Sequence, residues 1–193
     1  MKKFFNKSSL ITLFIFVLLL IIGITYRALF LHAAFWYDEA CSWATAICDF
    51  PYGIMNNLLN VDLQHTPLYF FLLHFWIKLF GDSEFAIRFL SFLFGIASLP
   101  LVYVVARKLS SKILAFVSMA VASVSPILVM FSDEARMYPL VLFLVLLSFN
   151  YFKDVFDGVK NANIKLTIVN VLIPYTLVGG IFYNFSLTFN LLI

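Results

Sequence analysis

The stretch "FAIRFLSFLFGIASLPLVYVVARKLSSK", Phe85 to Lys112, decides the class of fold. As a helix rising about 1.5 Å per residue, its first part, Phe85 to Ala106, is long enough to cross a hydrocarbon layer of about 30 Å. Its end carries Arg107, Lys108 and Lys112, and such clusters stay on the cytoplasmic side of a membrane. One segment therefore supplies both a span and its orientation. The composition agrees: 63% hydrophobic, 19% aromatic and only 12% charged, with a mean hydropathy of +1.00. This excludes an ordinary water-soluble domain. The net charge of +3 gives no reason to expect nucleic acid as a partner, because the basic residues fall at the ends of apolar runs.

Outward from that stretch, the other apolar segments are Ser9 to Phe30, Pro67 to Phe80, Ile113 to Phe131, Met137 to Phe152 and Leu166 to Phe182. The first is read as an uncleaved helix rather than a signal peptide, since its apolar run Leu10–Ile24 is long and no small-residue cleavage site follows that run before Arg27. "MKKFFNK" (1–7) and "KDVFDGVKNANIK" (153–165) join "ARKLSSK" as cytoplasmic stretches. An inside N-terminus then requires an even number of crossings before Arg107. Ser9–Phe30 and Phe85–Ala106 supply both. "PLYFFLLHFWIKLF", at about fourteen residues, is short for a span. It also carries His74 and Lys78, so it is expected to lie in the outer interface. The expected fold is an all-α polytopic membrane protein with about five transmembrane helices plus outer-face interfacial helices. Residues 1–193 form one membrane-embedded domain, and residues 31–84 its first outer loop with juxtamembrane helices. Cys41 and Cys48 are about 10 Å apart along a helix, too far for a disulfide.

This topology leaves nine of the thirteen basic residues inside. It gathers Asp38, Glu39, Asp62, His65, Asp82, Glu84, Asp133, Glu134, Arg136, Tyr138, Tyr183 and Asn184 outside. Arg27, Lys78 and Arg88 join them there. Each has a plain structural reading. Asp38 opens a helix and can cap it. His65 can be a turn residue before Pro67, a natural first helical position. Arg27 and Lys78 can snorkel. Arg88 can pair with Glu84 four residues earlier. Asp82 and Glu84 can form a solvated turn, and Gly179–Gly180 a helix-packing point. Taken together, the set suggests chemistry. Carboxylates can deprotonate an acceptor, arginines can hold a phosphate, and a histidine beside a carboxylate can bind a metal or relay a proton. Ionisable groups at membrane depth default to functional candidates.

Three blocks in order, "WYDEA" (36–40), "HTPLYFFLLHFWIKLFGDSEFAIRFLSFLFGIASLPLVYVVARKL" (65–109) and "SPILVMFSDEARMYPL" (125–140), resemble the N-terminal half of a membrane glycosyltransferase. The family is the protein O-mannosyltransferase-like group of the GT-C superfamily. It includes the eukaryotic protein mannosyltransferases, the aminoarabinose transferase of lipid A and the Rhizobium-type lipopolysaccharide sugar transferases. The likeness covers about residues 35 to 150 and is strongest to the Rhizobium-type branch. It implies catalytic carboxylates at Asp38 and Glu39, with Asp38 as the base or acceptor-orienting group. It implies donor-phosphate or acceptor contacts at His65, Arg88, Glu134, Arg136 and Tyr138, and a divalent metal held by His65 and Asp38. Thr66 stands where the family commonly has proline, Asp133 where it has glutamine, and Tyr183–Asn184 where it often has a His-Tyr pair.

The implied activity is an inverting transfer from a polyprenyl-phosphate sugar to a hydroxyl of a lipid, glycan or protein acceptor, on the outward face of a bacterial cytoplasmic membrane. Family members are usually much longer, so the resemblance also implies a missing C-terminal half as partner. Two rivals remain open at this point. One is a non-catalytic fragment or polyprenyl-lipid-binding subunit. The other is a small transporter, which should carry polar groups near mid-membrane in broken helices.

Overall fold

The structure, a computed structural model, describes residues 7–29, 31, 35–61 and 65–192. Asp62 and the lysines before Lys7 lie outside the described residues. Within them the chain is helical, with no strand. The helices in order are α1 (Lys7–Ala28), α2 (Tyr37–Ala46), α3 (Tyr52–Asn60), α4 (Pro67–Phe80), α5 (Glu84–Leu109), α6 (Lys112–Val124), α7 (Pro126–Ser132), α8 (Tyr138–Phe156), α9 (Ala162–Thr176) and α10 (Gly180–Leu192).

Helices α1, α5 and α8 are long and apolar enough to cross a membrane. On α1, Leu10, Leu13, Phe14, Val17, Leu18 and Ile21 are all exposed. They follow the three-and-four spacing of one helix face, and water would reject such a stripe where lipid accepts it. The protein is an integral membrane protein of the all-α class.

The two remaining expected spans are broken, and proline explains how. The run expected to cross from Ile113 to Phe131 is α6 and α7, bent by 57° at Ser125. Pro126 has no N–H, so the carbonyl of Ala122 four residues earlier loses its donor. Arg27 supplies the replacement. Its Nη2 donates to the Ala122 carbonyl at 3.0 Å and its Nη1 to the Ser123 carbonyl at 3.1 Å. Nη1 also reaches Gly23 O at 3.0 Å, and Nε donates to Ser132 Oγ at 3.1 Å. Arg27 therefore does not snorkel as expected: it is 1% exposed and clamps α1 to the break. A cation also suits the negative carbonyl end of α6.

The run from Leu166 to Phe182 stops at Thr176 and resumes at Gly180. α9, with 15 residues, reaches about 22 Å and does not span alone. The fifth expected crossing is thus not a single helix. Here Pro174 frees the Asn170 carbonyl, and Asn184 Nδ2 donates to it at 2.6 Å. Gly180 packs closely, since a Cβ there would fall 2.5 Å from Ile173 Cγ2. Gly179 has no such neighbour.

The helix directions sort the charges to two ends. The C-termini of α5 and α8 and the N-terminus of α6 share one end, where Lys108 Nζ meets Asp154 Oδ1 at 2.5 Å and Lys112 bonds Thr12 of α1. The opposite end holds α2, α3 and α4, the starts of α5 and α8, and the 133–137 loop. There α4 buries Tyr69, Phe70 and Leu73 against Ile87 and Leu90 of α5 and Met137 and Leu140. His74 Nδ1 donates to Ala46 O at 2.7 Å and Trp76 Nε1 to Ala86 O at 2.7 Å, tying α4 to α2 and α5. α4 turns into α5 through Gly81, whose φ of +83° favours glycine. Cys41 and Cys48 are both free, as their separation required.

Candidate active site

The site grows from the start of α2. Trp36 takes the extended N-cap conformation, which makes Asp38 and Glu39 the second and third helical residues. Successive helical residues point about 100° apart, so these adjacent carboxylates face different surroundings. The capping role expected of Asp38 belongs to Glu39, whose Oε2 accepts the Trp36 backbone N–H at 3.4 Å.

Glu39 is 1% exposed and fully engaged. Arg88 Nε donates to its Oε1 at 2.8 Å and Nη2 to its Oε2 at 2.6 Å. The Ala135 backbone N–H donates to Oε1 at 2.8 Å. Arg88 also reaches Leu31 O at 3.3 Å and lies over the Phe35 ring at 5.1 Å. The expected helical pair of Arg88 with Glu84 is thus replaced by a bidentate pair with α2. Three segments, α2, α5 and the 133–137 loop, converge on one carboxylate. Breaking such a buried pair from one side costs about 3–5 kcal/mol, because the survivor keeps an uncompensated charge.

Asp38 differs in every respect. Its side chain is 41% exposed, and Oδ2 stands 3.8 Å from Arg136 Nη2. Arg136 is itself buried. Its Nη1 donates to the Asp38 carbonyl at 3.2 Å and to Ser42 Oγ at 3.4 Å. Its Nη2 is 2.8 Å from His65 Nε2. A guanidinium has only donors, so this ring nitrogen accepts and the imidazole carries its proton on Nδ1. Arg136 Nε has no partner among the described residues. The Arg136 guanidinium is 5.9 Å from the Tyr138 ring centre. Beneath it runs a hydroxyl relay: Ser91 Oγ donates to the Arg136 carbonyl at 2.8 Å, and Tyr69 hydroxyl to Ser91 Oγ at 2.8 Å. Burial raises the Tyr69 phenol, keeping it a neutral donor.

Two clefts open beside these groups. One of about 460 Å³ is lined by Tyr37, Asp38, Cys41, Asn57, His65, Arg136 and Tyr138, among others. The second, of about 780 Å³, is mostly apolar, with Tyr26, Trp36, Val124, Pro126, Val129 and Met130. Its polar lining is Glu39, Arg88, Asp133 and Glu134. Adjacent residues of α2 thus face separate clefts, Asp38 the smaller and Glu39 the larger. Burial raises the Asp133 carboxyl to about 7, against the opposing pull of Arg27 and Arg88. Burial, reinforced by Glu39, also raises Glu134.

A metal on His65 and Asp38, as expected, would compete there with Arg136, which lies against both side chains. Among the described residues no three His, Cys, Asp or Glu side chains converge. His65 Nε2 already accepts from Arg136, and a guanidinium between the two ligands would repel a cation.

The structure brings together Asp38, Glu39, His65, Arg88, Glu134, Arg136 and Tyr138, all expected. Asp82, Glu84 and Lys78 are exposed and line neither cleft. Tyr183 packs on Phe149, and Asn184 serves the α9 break, so neither lines these clefts. Sequence reasoning missed Ser42, Ser91, Tyr69 and the Ala135 N–H. Ser91 had a signal: Arg88, Ser91, Gly95 and Ser98 recur at three- and four-residue steps along an apolar helix, and all are buried.

Residues 64–154 match the family model of dolichyl-phosphate-mannose-protein mannosyltransferases. The chain resembles that family. The matched span carries the "HTPLYFF" block with His65, the "SDEARMY" block with Glu134, Arg136 and Tyr138, and Arg88 between them; Asp38 and Glu39 precede it. No curated protein and no solved structure matches the chain. The family points to a membrane glycosyltransferase that uses a sugar donor and an acceptor.

Proposed function

We propose that the chain takes part in transfer of a sugar from a polyprenyl-phosphate donor, of the dolichyl-phosphate-mannose kind named by the matching family, to an acceptor hydroxyl at the outward membrane face. The observation that carries this reading is the contrast within "DE". Glu39 is locked in four hydrogen bonds, whereas Asp38 keeps an accessible carboxylate at the mouth of a cleft beside a buried arginine.

In this reading Asp38 accepts the proton of the acceptor hydroxyl. The acceptor oxygen forms its bond to the anomeric carbon from the face opposite the phosphate. The bond from that carbon to the phosphate oxygen breaks, and its electron pair leaves with the lipid phosphate. Arg136, which lines the smaller cleft with Asp38, supplies charge to the leaving group. His65 and Ser42 hold the guanidinium in place. Glu39 and Arg88 are positioning residues that fix α2 against α5 and the 133–137 loop. The apolar cleft holds the prenyl chain and so places the donor.

The test is to supply membranes carrying the chain with radiolabelled polyprenyl-phosphate-mannose and follow the label into lipid, glycan and protein fractions. Asp38→Asn should lower transfer by about 10²–10⁴-fold, the usual contribution of a positioned base. Transfer at the wild-type rate would remove Asp38 from the chemistry. No transfer above that of membranes lacking the chain would favour a lipid-binding subunit that uses the apolar cleft alone.

A further inference from the structure

Two carboxyls of the larger cleft, Asp133 and Glu134, are left unused by this mechanism, and Asp133 is the more deeply buried. Asp133 lines the cleft, is 6% exposed, and neither of its oxygens has a hydrogen-bond partner among the described residues. A buried carboxyl without a donor is costly, and native structures rarely keep one without a reason. The nearest cations do not bond it. Arg27 gives its N–H groups to Gly23, Ala122, Ser123 and Ser132, and Arg88 chelates Glu39. Tyr26, Val124, Pro126, Val129 and Met130 make the facing walls largely apolar. No protein group among the described residues supplies these donors, and a ligand in the cleft can.

The chemistry of a lipid-linked sugar then sorts itself. A prenyl chain has no donor. A phosphate offers acceptors and is repelled by a cleft holding both Asp133 and Glu134. Sugar hydroxyls are donors, and two neighbouring hydroxyls match the two unpartnered oxygens of the Asp133 carboxyl. We infer that Asp133 holds a pair of adjacent hydroxyls on the sugar of the lipid-linked donor, making it a specificity residue at the end of α7. This rests on the reading that such a donor occupies the larger cleft. It places the sugar in the larger cleft, against the end of α7.

Binding to the full chain in lipid nanodiscs tests this, read by tryptophan fluorescence because Trp36 lines the cleft. The probes are farnesyl-phosphate-mannose and farnesyl phosphate. The wild type should prefer the mannose-bearing probe. Asp133→Leu should weaken that probe by about ten-fold, the worth of a hydrogen bond to a charged group, and leave farnesyl phosphate unchanged. Asp133→Asn keeps one acceptor and should lose about three-fold, so it serves where the leucine variant fails to fold. Equal binding of both probes by the wild type, or an undiminished mannose preference in the variants, overturns the assignment of Asp133 while leaving a lipid-phosphate site. Failure of both probes to bind the wild type overturns the donor reading itself, and this inference with it.

Discussion

The two ends of the bundle treat charge in opposite ways. Where α5 and α8 finish, the paired charges are partly exposed, whether the pair is local or joins two helices. Lys153 bonds Asp157 four residues on, and Lys108 bridges to Asp154 with both side chains in contact with solvent. Where α5 and α8 begin, Arg27, Glu39, Arg88 and Arg136 are buried and find partners over long sequence separations. Arg88 meets Glu39 across 49 residues, Arg136 meets His65 across 71, and Arg27 reaches Ser132 across 105. The first kind of pair adds little to stability and mainly records orientation in the membrane. The second kind fixes loops and short helices that no continuous apolar face could hold by itself.

The largest expected effect comes from breaking a distant pair. Glu39→Ala leaves Arg88 buried and unpaired, and should cost about 3–5 kcal/mol, read as a drop in thermal unfolding temperature in detergent. The double variant Glu39→Leu/Arg88→Met should recover much of that loss, since no stranded charge remains. Next comes Arg27→Met. It strands the Ala122 and Ser123 carbonyls at the α6–α7 break and should cost about 2–3 kcal/mol by the same measurement. An unchanged unfolding temperature would mean that water or lipid groups satisfy the break without it.

Asp133→Asn should have a smaller effect of the opposite sign. Its folded carboxyl is raised from 3.8 to about 7 by burial, so the folded state resists losing this proton. Its contribution is therefore most favourable below about pH 4 and is lost as pH rises through about 7. Arg27 and Arg88 oppose the shift, and Glu134 reinforces it. The variant should raise the unfolding temperature at pH 8 by about 3 °C and flatten its decline between pH 5 and pH 8. The smallest effect belongs to the other end. Lys153→Ala should cost no more than about 0.5 kcal/mol, because its pair is exposed and helical. A larger loss there would erase the contrast between the two ends.

The same contrast explains what was legible in the sequence. Hydropathy located α1, α4, α5 and α8 within a few residues, because each is an unbroken apolar run of helical length. It joined α6 to α7 and α9 to α10, because an average over a window does not register that Pro126 and Pro174 each remove a donor. The segregation of lysines and arginines was readable because it depends on which side of a membrane a residue occupies. The partner of a buried charge was not, since it depends on packing between remote segments. Arg88 had an acidic neighbour in sequence and chose a distant one. Arg27 sat at a helix end, the usual place for snorkelling, and turned inward instead. Within "DE", the sequence could mark two carboxylates but not divide their tasks. The fold makes that division, because burial and the Ala135 N–H fall on only one of them.

That division is the central claim, and one paired measurement tests it. Transfer of labelled mannose and thermal unfolding should both be recorded for Asp38→Asn in the full chain. The account predicts a loss of transfer of at least about a hundred-fold with an unfolding temperature within about 1 °C of the wild type, because Asp38 is half-exposed and its contact with Arg136 is loose. Undiminished transfer, or a loss that only follows unfolding of the protein, would contradict it.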